Sequence, residues 1–425
     1  MSENDNQKYD CLNVVVSHPA QQHSYHLARA LEKKGSLFAY VTTVYFKESR
    51  LLYRLLKVVL NKDNIRRMRG RQNSFMESNL KQFNEISGLL FLFSQRILRD
   101  QTFKGVIEAW LGKAFGRKVA KFVNCNNVDI IICFDTFALT TFEGTLKSHV
   151  KKVLDMSSIP LERRSNLIEE YTTNELLAQK SLNRTRKLSL DARVEASNKE
   201  ILLADYFLVA SNFTKRQLVE VGVKSKQIYV VSYGINSNLY RPREAVPSND
   251  SKKLTFIFVG QMSAVKGFYV LVEALSRLPS GSFKCLLIGV PQGSETKIKQ
   301  LSADFEFLGP VLNDDMPDIY RLADVLVAPS FYDGFGLTVL EAMASGLGVI
   351  CSRNTGASDL VNHGETGFLV DPNSVDDLYA SMQYFLDNPD KLSGMKTKAR
   401  LQAKNYSWER YDKSIANVID SINLL

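Results

Sequence analysis

The chain has 425 residues, 45% of them hydrophobic and 23% charged, with 54 Lys and Arg against 45 Asp and Glu. That length predicts two domains, and that apolar content excludes wholesale disorder. No run approaches about 18 uncharged apolar residues, so no bilayer-spanning helix is expected, and the polar, acidic residues 1–5 do not read as a secretory signal.

Asn13-Val14-Val15-Val16 reads as a first strand and Ser24 to Lys34 as a helix with Leu27, Ala30 and Leu31 on one face. Between them lies Ser17-His18-Pro19-Ala20-Gln21-Gln22-His23, a loop at the carboxyl end of a strand, where α/β folds bind ligands. His18, His23 and His26 lack a carboxylate or thiol at zinc-site spacing, so structural or acceptor-contacting roles are expected and no metal. Ala39-Tyr40-Val41-Thr42 is a second strand.

A basic segment follows. Residues 1–200 hold 32 Lys and Arg against 21 Asp and Glu, and residues 201–425 hold 22 against 24. Within 51–122 the count is 15 against 5, mixed with Leu89-Leu90-Phe91-Leu92-Phe93 and Trp110-Leu111. Two readings stand: basic amphipathic helices lying on an anionic membrane surface, or the solvated face of ordinary core helices. The lack of a binding motif and the slightly acidic second half point away from nucleic acid.

Further apolar runs, Asp129 to Cys133, Lys152 to Leu154, Tyr206 to Val209 and Ile228 to Val231, read as strands buried on both faces, as in parallel sheets. Asp155 closes one of them and is followed by Met156, Ser157 and Ser158. Asp155 reads either as a contact to sugar or acceptor or as a helix cap. The punctuated stretch from Tyr233 to Ser251 reads as a linker. The alternation then restarts with strands at Leu254–Val259, Cys285–Ile288, Val325–Ala328 and Val349–Cys351, and a helix from Tyr269 to Leu278. The fold class expected is α/β, with two doubly wound, Rossmann-like domains. The five cysteines (11, 125, 133, 285, 351) form no Cys-x-x-Cys pair, and most lie in or beside apolar runs. They read as thiols of a reducing cytoplasm rather than a disulfide or zinc framework.

Chemistry concentrates after these later strands. Val259-Gly260-Gln261-Met262-Ser263-Ala264-Val265-Lys266-Gly267 supplies a close-approach backbone and a cation. Phe307-Leu308-Gly309-Pro310-Val311 offers main-chain groups for a base. Asp333-Gly334-Phe335-Gly336 leads into a helix beginning near Thr338, with Glu341 about two turns on. The amides of a helix start attract phosphate, and two carboxylates can serve a sugar and a ribose diol.

From about residue 205 to 415 the sequence resembles the retaining nucleotide-sugar glycosyltransferases of the GT-B fold, family 4. Asp333 and Glu341 match the acidic-x7-Glu motif, with Asp in place of the usual Glu. Gly260, Lys266 and Gly267 match the Gly-Arg-x4-Lys-Gly phosphate loop, whose Arg position holds Gln261. The resemblance implies two domains facing across a cleft, 1–233 for the acceptor and 234–406 for the nucleotide sugar, with a helix over 407–425 returning to the first. It implies a UDP-, GDP- or ADP-sugar donor, a glycan or lipid-linked acceptor, no cofactor and no metal. Asp333, Lys266 and Asp155 are the expected catalytic residues. Glu341, Gly260, Gln261, Gly267, Val311, Gly336, Leu337 and Thr338 are expected on the donor, and His18, Gln22, His23 and Ser157 on the acceptor side. A cytoplasmic protein, peripheral on the inner membrane face, fits this reading. Two alternatives stand: a non-catalytic sugar-nucleotide-binding subunit, and a sugar-nucleotide epimerase, which needs no acceptor.

Overall fold

The computed structural model describes residues 12–20, 23–46, 78–97, 101–171, 184–242 and 253–424. Gln22, Cys11, residues 51–77 and 98–100 of the basic segment and residues 243–251 of the expected linker lie outside them.

Two sheets organise the chain. The first has seven strands: β1 (Val14–Ser17), β2 (Leu37–Thr42), β3 (Leu80–Gln82), β4 (Ile130–Phe134), β5 (Lys151–Met156), β6 (Tyr206–Val209) and β7 (Ile228–Val230), in the order β3-β2-β1-β4-β5-β6-β7. The pairs from β3 through β5 run parallel. The second has β8 (Leu254–Val259), β9 (Phe283–Ile288), β10 (Phe305–Gly309), β11 (Val325–Ala328), β12 (Gly348–Ser352) and β13 (Phe368–Val370), in the order β10-β9-β8-β11-β12-β13, every pair parallel. Each order reverses once, between β1 and β4 and between β8 and β11. At such a switch point adjacent loops diverge to opposite faces and leave a crevice at the carboxyl ends of the strands.

The strands form where β-branched and aromatic residues run uninterrupted, because helices cover both faces. Val14, Val15, Ile131, Ile132, Phe256, Ile257, Leu326 and Val349 are fully buried. The expected helix Ser24–Lys34 is found with those bounds, stopped by Gly35 in the left-handed conformation (φ 79°). The helix expected over Tyr269–Leu278 runs Phe268–Ser276. The three-residue β3 was not anticipated, and β10 takes in Phe307–Gly309, which the sequence reads as loop at a strand's end. β3 has no residue buried, and β10 buries only Gly309, so neither shows a continuous apolar run.

By contact density the chain divides into two compact units. One comprises Met1–Met156, Arg184–Leu208 and Asp412–Leu425; the other comprises Ser157–Asn183 and Val209–Tyr411. The last helix, Trp408–Asn423, buries Ile415, Val418, Ile419 and Ile422. Within the first unit Asp412 of that helix accepts from Arg29 (3.3 Å) and Lys33 (2.8 Å), and Asp420 from Lys34 (2.7 Å).

In the helix Gln101–Cys125, Leu111, Phe115, Val119 and Val123 recur every four residues and are buried, while Lys113, Arg117, Lys118 and Lys121 are exposed. This part of the basic segment is therefore a core helix with an exposed basic face. Ile86, Leu90 and Trp110 nevertheless stand 71%, 64% and 61% exposed. No described helix is long and apolar enough to cross a membrane. Cys133, Cys285 and Cys351 are buried free thiols whose pKa burial pushes up, and Cys125 is exposed.

Candidate functional site

The second unit assembles its polar groups at the switch point between β8 and β11. The loop after β8 runs Gly260–Gly267 and enters the helix Phe268–Ser276. Gly267 has φ 71°, and a Cβ there would fall 2.0 Å from the Pro329 carbonyl oxygen, so only glycine fits. This close approach brings Lys266 beside the loop after β11. Its Nζ donates to Asp333 Oδ2 at 2.6 Å. Asp333 Oδ1 accepts the amides of Phe335 (3.2 Å) and Gly336 (3.0 Å) at the start of the helix Leu337–Ala344. Burial opposes ionisation of Asp333, but the Lys266 ammonium and these two amides outweigh it and hold the carboxyl below its ordinary range.

Gly336 (φ 85°) turns the chain into that helix. Leu337 is exposed and Thr338 half-buried at its first turn, leaving amides available to an anion. Glu341 sits in the fifth position of the helix, closer to its start than the two turns from Asp333 suggest, because the first half of that spacing is loop. Its two oxygens accept from Tyr320 Oη (2.8 Å) and Tyr240 Oη (3.3 Å). Burial pushes Glu341 up to about 7 against the pull of these two hydroxyls. Neither tyrosine was singled out in the sequence. Tyr240 lies in the stretch read as a linker and Tyr320 ends a five-residue helix, and only the fold brings them to Glu341.

The remaining donor-side candidates lie on the same strand ends. Gly260 closes β8, Gln261 beside it is exposed, and Val311 follows β10 half-buried. Ser157, expected on the acceptor side, touches the loop after β11, where donor contacts were expected: a Cβ on Gly334 would fall 2.2 Å from its carbonyl oxygen. The buried Ser211 and Thr214 hydroxyls donate to the Gly334 carbonyl at 2.6 and 3.2 Å. Around Tyr332, one residue before Asp333, the charges of Arg164 and Lys266 both act on the phenol, whose pKa burial raises.

The first unit has its own cluster, at its own switch point. Register pairs Ser17 with Cys133 and Phe134 with Asp155, which sets the loops after β1, β4 and β5 side by side. His23 Nε2 lies 3.0 Å from Asp155 Oδ1. His18 is buried, its Nδ1 accepting the Ala20 amide at 2.8 Å and its ring meeting Phe134 and Phe137 edge-on at 4.8 and 5.6 Å. The sequence predicted these three residues but missed Asp135, buried at the end of β4, whose amide donates to the Asp155 carbonyl at 3.0 Å. Its position directly after the Ile130–Phe134 run was the available signal.

Residues 242–402 match the family of glycosyl transferases group 1. The D-inositol 3-phosphate glycosyltransferase of Rhodococcus opacus is 30% identical over 261 residues, 56% of this chain and 58% of that protein, so the match spans little more than half of the relative's length. Among solved structures, the sucrose-phosphate synthase of Thermosynechococcus elongatus superposes with a TM-score of 0.69 at 18% identity, covering 97% of this chain and 99% of that one. An Anabaena protein solved with UDP-glucose superposes with a TM-score of 0.63 at 16% identity, covering 96% and 100%. The fold is that of the GT-B glycosyltransferases, two parallel Rossmann-like sheets, and the stretch that carries Lys266, Asp333 and Glu341 matches group 1 glycosyl transferases.

Proposed function

We propose that this protein is a retaining family 4 glycosyltransferase that moves a hexose-type sugar from a nucleotide sugar to a glycan or lipid-linked acceptor. The observation that carries this reading is the Lys266–Asp333 pair at the second sheet's switch point, with the helix start at Leu337 beside it and Glu341 behind. Such a site suits a diphosphate: a cation, open helix amides and a carboxylate within one helical segment.

Glu341 takes the ribose hydroxyls. Lys266 and the helix start meet the diphosphate, and Asp333 orients Lys266 at the edge facing the sugar. In transfer the bond from the anomeric carbon to the β-phosphate oxygen breaks with its electron pair on the phosphate. The acceptor oxygen bonds to the same face of that carbon, and its proton passes to the departing phosphate. Lys266 stabilises the charge that grows on the leaving group. This chemistry asks positioning of the protein rather than a dedicated base or a metal. His18, His23 and Asp155 serve the acceptor, and exposed Ile86, Leu90 and Trp110 with the adjacent basic face attach the protein to an anionic cytoplasmic membrane surface.

The test is hydrolysis and transfer by the full chain with UDP-glucose, GDP-mannose and ADP-glucose. Release of nucleoside diphosphate from one of them, lost in Lys266→Ala, supports the reading. No turnover of any nucleotide sugar sinks it, and conversion without an acceptor to an epimeric nucleotide sugar makes the protein an epimerase.

A further inference from the structure

Glu200 lies near the end of the helix Arg184–Leu203 and is 2% exposed. Its carboxylate accepts three backbone amides, from Thr136 (2.8 Å), Ala138 (2.8 Å) and Leu139 (3.0 Å). Thr136 and Ala138 lie in the turn that leaves β4, and Leu139 opens the helix after it. Within the turn Thr136 has φ 73°. A β-branched residue enters that region only where its surroundings impose it, and at a cost in backbone strain. Burying a carboxylate is costly too. Burial pushes Glu200 up to about 7, with the Asp135 charge adding to the rise and the three amides opposing it.

Two unfavourable features, a strained threonine and a buried acid, thus meet in one turn. That turn carries Asp135, 7% exposed, whose amide donates to the Asp155 carbonyl. The ring of Phe134, the last residue of β4, meets His18 and His23 at 4.8 and 5.1 Å. The helix that follows, Leu139–Gly144, has only six residues and no side-chain cap. The Glu200 oxygens replace that missing cap from another element.

We propose that Glu200 is a positioning residue that locks Thr136 in its left-handed conformation and thereby fixes the Asp135 backbone against Asp155, beside the cluster of His18, His23 and Asp155. The proposal rests on the glycosyltransferase reading and places Asp135 on its acceptor side. Glu200 itself touches no substrate. Without its oxygens Thr136 relaxes to negative φ, the peptide after Asp135 rotates, and the Asp135 amide loses its hold on the Asp155 carbonyl.

The experiment uses the full chain, Glu200→Gln and the double variant with Thr136→Gly. The Gln amide keeps the size of Glu but offers one acceptor oxygen. Glycine reaches positive φ without strain. Three readouts are taken: amide hydrogen exchange at 136, 138 and 139, UDP affinity by calorimetry, and kcat and KM on whichever of UDP-glucose, GDP-mannose and ADP-glucose the wild type hydrolyses fastest. Glu200→Gln should speed exchange at those amides at least tenfold and lower kcat at least tenfold. Donor KM and UDP affinity should stay within about twofold, and the double variant should recover most of kcat. A kcat unchanged in Glu200→Gln, a parallel loss of UDP affinity, or no recovery in the double variant overturns the proposal alone. A wild type that binds UDP and turns over no nucleotide sugar overturns the glycosyltransferase reading and, with it, the role given to Asp135.

Discussion

Lys266 and Asp333 stand 2.6 Å apart although 67 residues separate them in the chain. β8 and β11 are neighbours in the sheet, and their loops meet where the strand order reverses. Both side chains keep about a third of their surface exposed, so the pair adds little to stability. Its value lies in aiming a cation. Lys266→Ala should lower kcat on the nucleotide sugar about 100-fold, the usual scale for losing one charge-stabilising donor. UDP affinity should change far less. A steady-state comparison of kcat with calorimetric affinity checks this, and equal losses in both would show ground-state binding instead.

Gln261 occupies the exposed position where the resembling phosphate loops carry arginine. A guanidinium there would face a diphosphate in bidentate fashion. Gln261→Arg should therefore tighten binding of UDP by about tenfold and of UMP by much less. Calorimetry with both nucleotides measures the difference; an equal gain would mean that the diphosphate does not lie along this loop.

Glu341 is pushed up to about 7, chiefly by burial, with Tyr320 and Tyr240 pulling the other way. A carboxylate accepts two hydrogen bonds from a diol, while a carboxylic acid accepts them poorly. Nucleotide affinity should rise as the pH climbs from about 6 to 8, as Glu341 ionises. Glu341→Gln should remove that part of the rise and leave only the titration of the nucleotide. Tyr320→Phe removes a donor to the ionised form, so its midpoint should move upward. Uridine, which lacks a phosphate, is the control ligand in the same titration.

Trp110 is 61% exposed beside Lys113, Arg117, Lys118 and Lys121. The chain has two tryptophans, so Trp408→Phe leaves Trp110 as the only one, and excitation at the red edge of tryptophan absorption avoids the tyrosines. Vesicles containing phosphatidylglycerol should shift its emission to the blue. The shift should fade with salt, because the attraction is a screened Coulomb interaction. Phosphatidylcholine vesicles should leave it unchanged. The same spectrum with both kinds of vesicle would show a basic face that meets only water.

The sequence by itself determined the local elements. Continuous runs such as Val14–Val16, Ile130–Cys133 and Leu254–Val259 became strands because side chains buried on both faces leave no room for alternation. Leu27, Ala30 and Leu31 fixed a helix through their spacing. The glycines at 260, 267 and 336 marked the loops that bend back on themselves, since positive φ is a local property of the chain. The tertiary structure alone decided the partners. Lys266 finds Asp333, His23 finds Asp155 across 132 residues, and Glu200 finds the Thr136 turn across 64. Tyr320 and Tyr240 reach Glu341 in the same way. None of these contacts leaves a periodicity or a spacing in the sequence, because each depends on which strands lie side by side and at what register. That order is set by burying two whole sheets at once, and it is why Glu200, an ordinary glutamate within a helical stretch, became visible only in the fold.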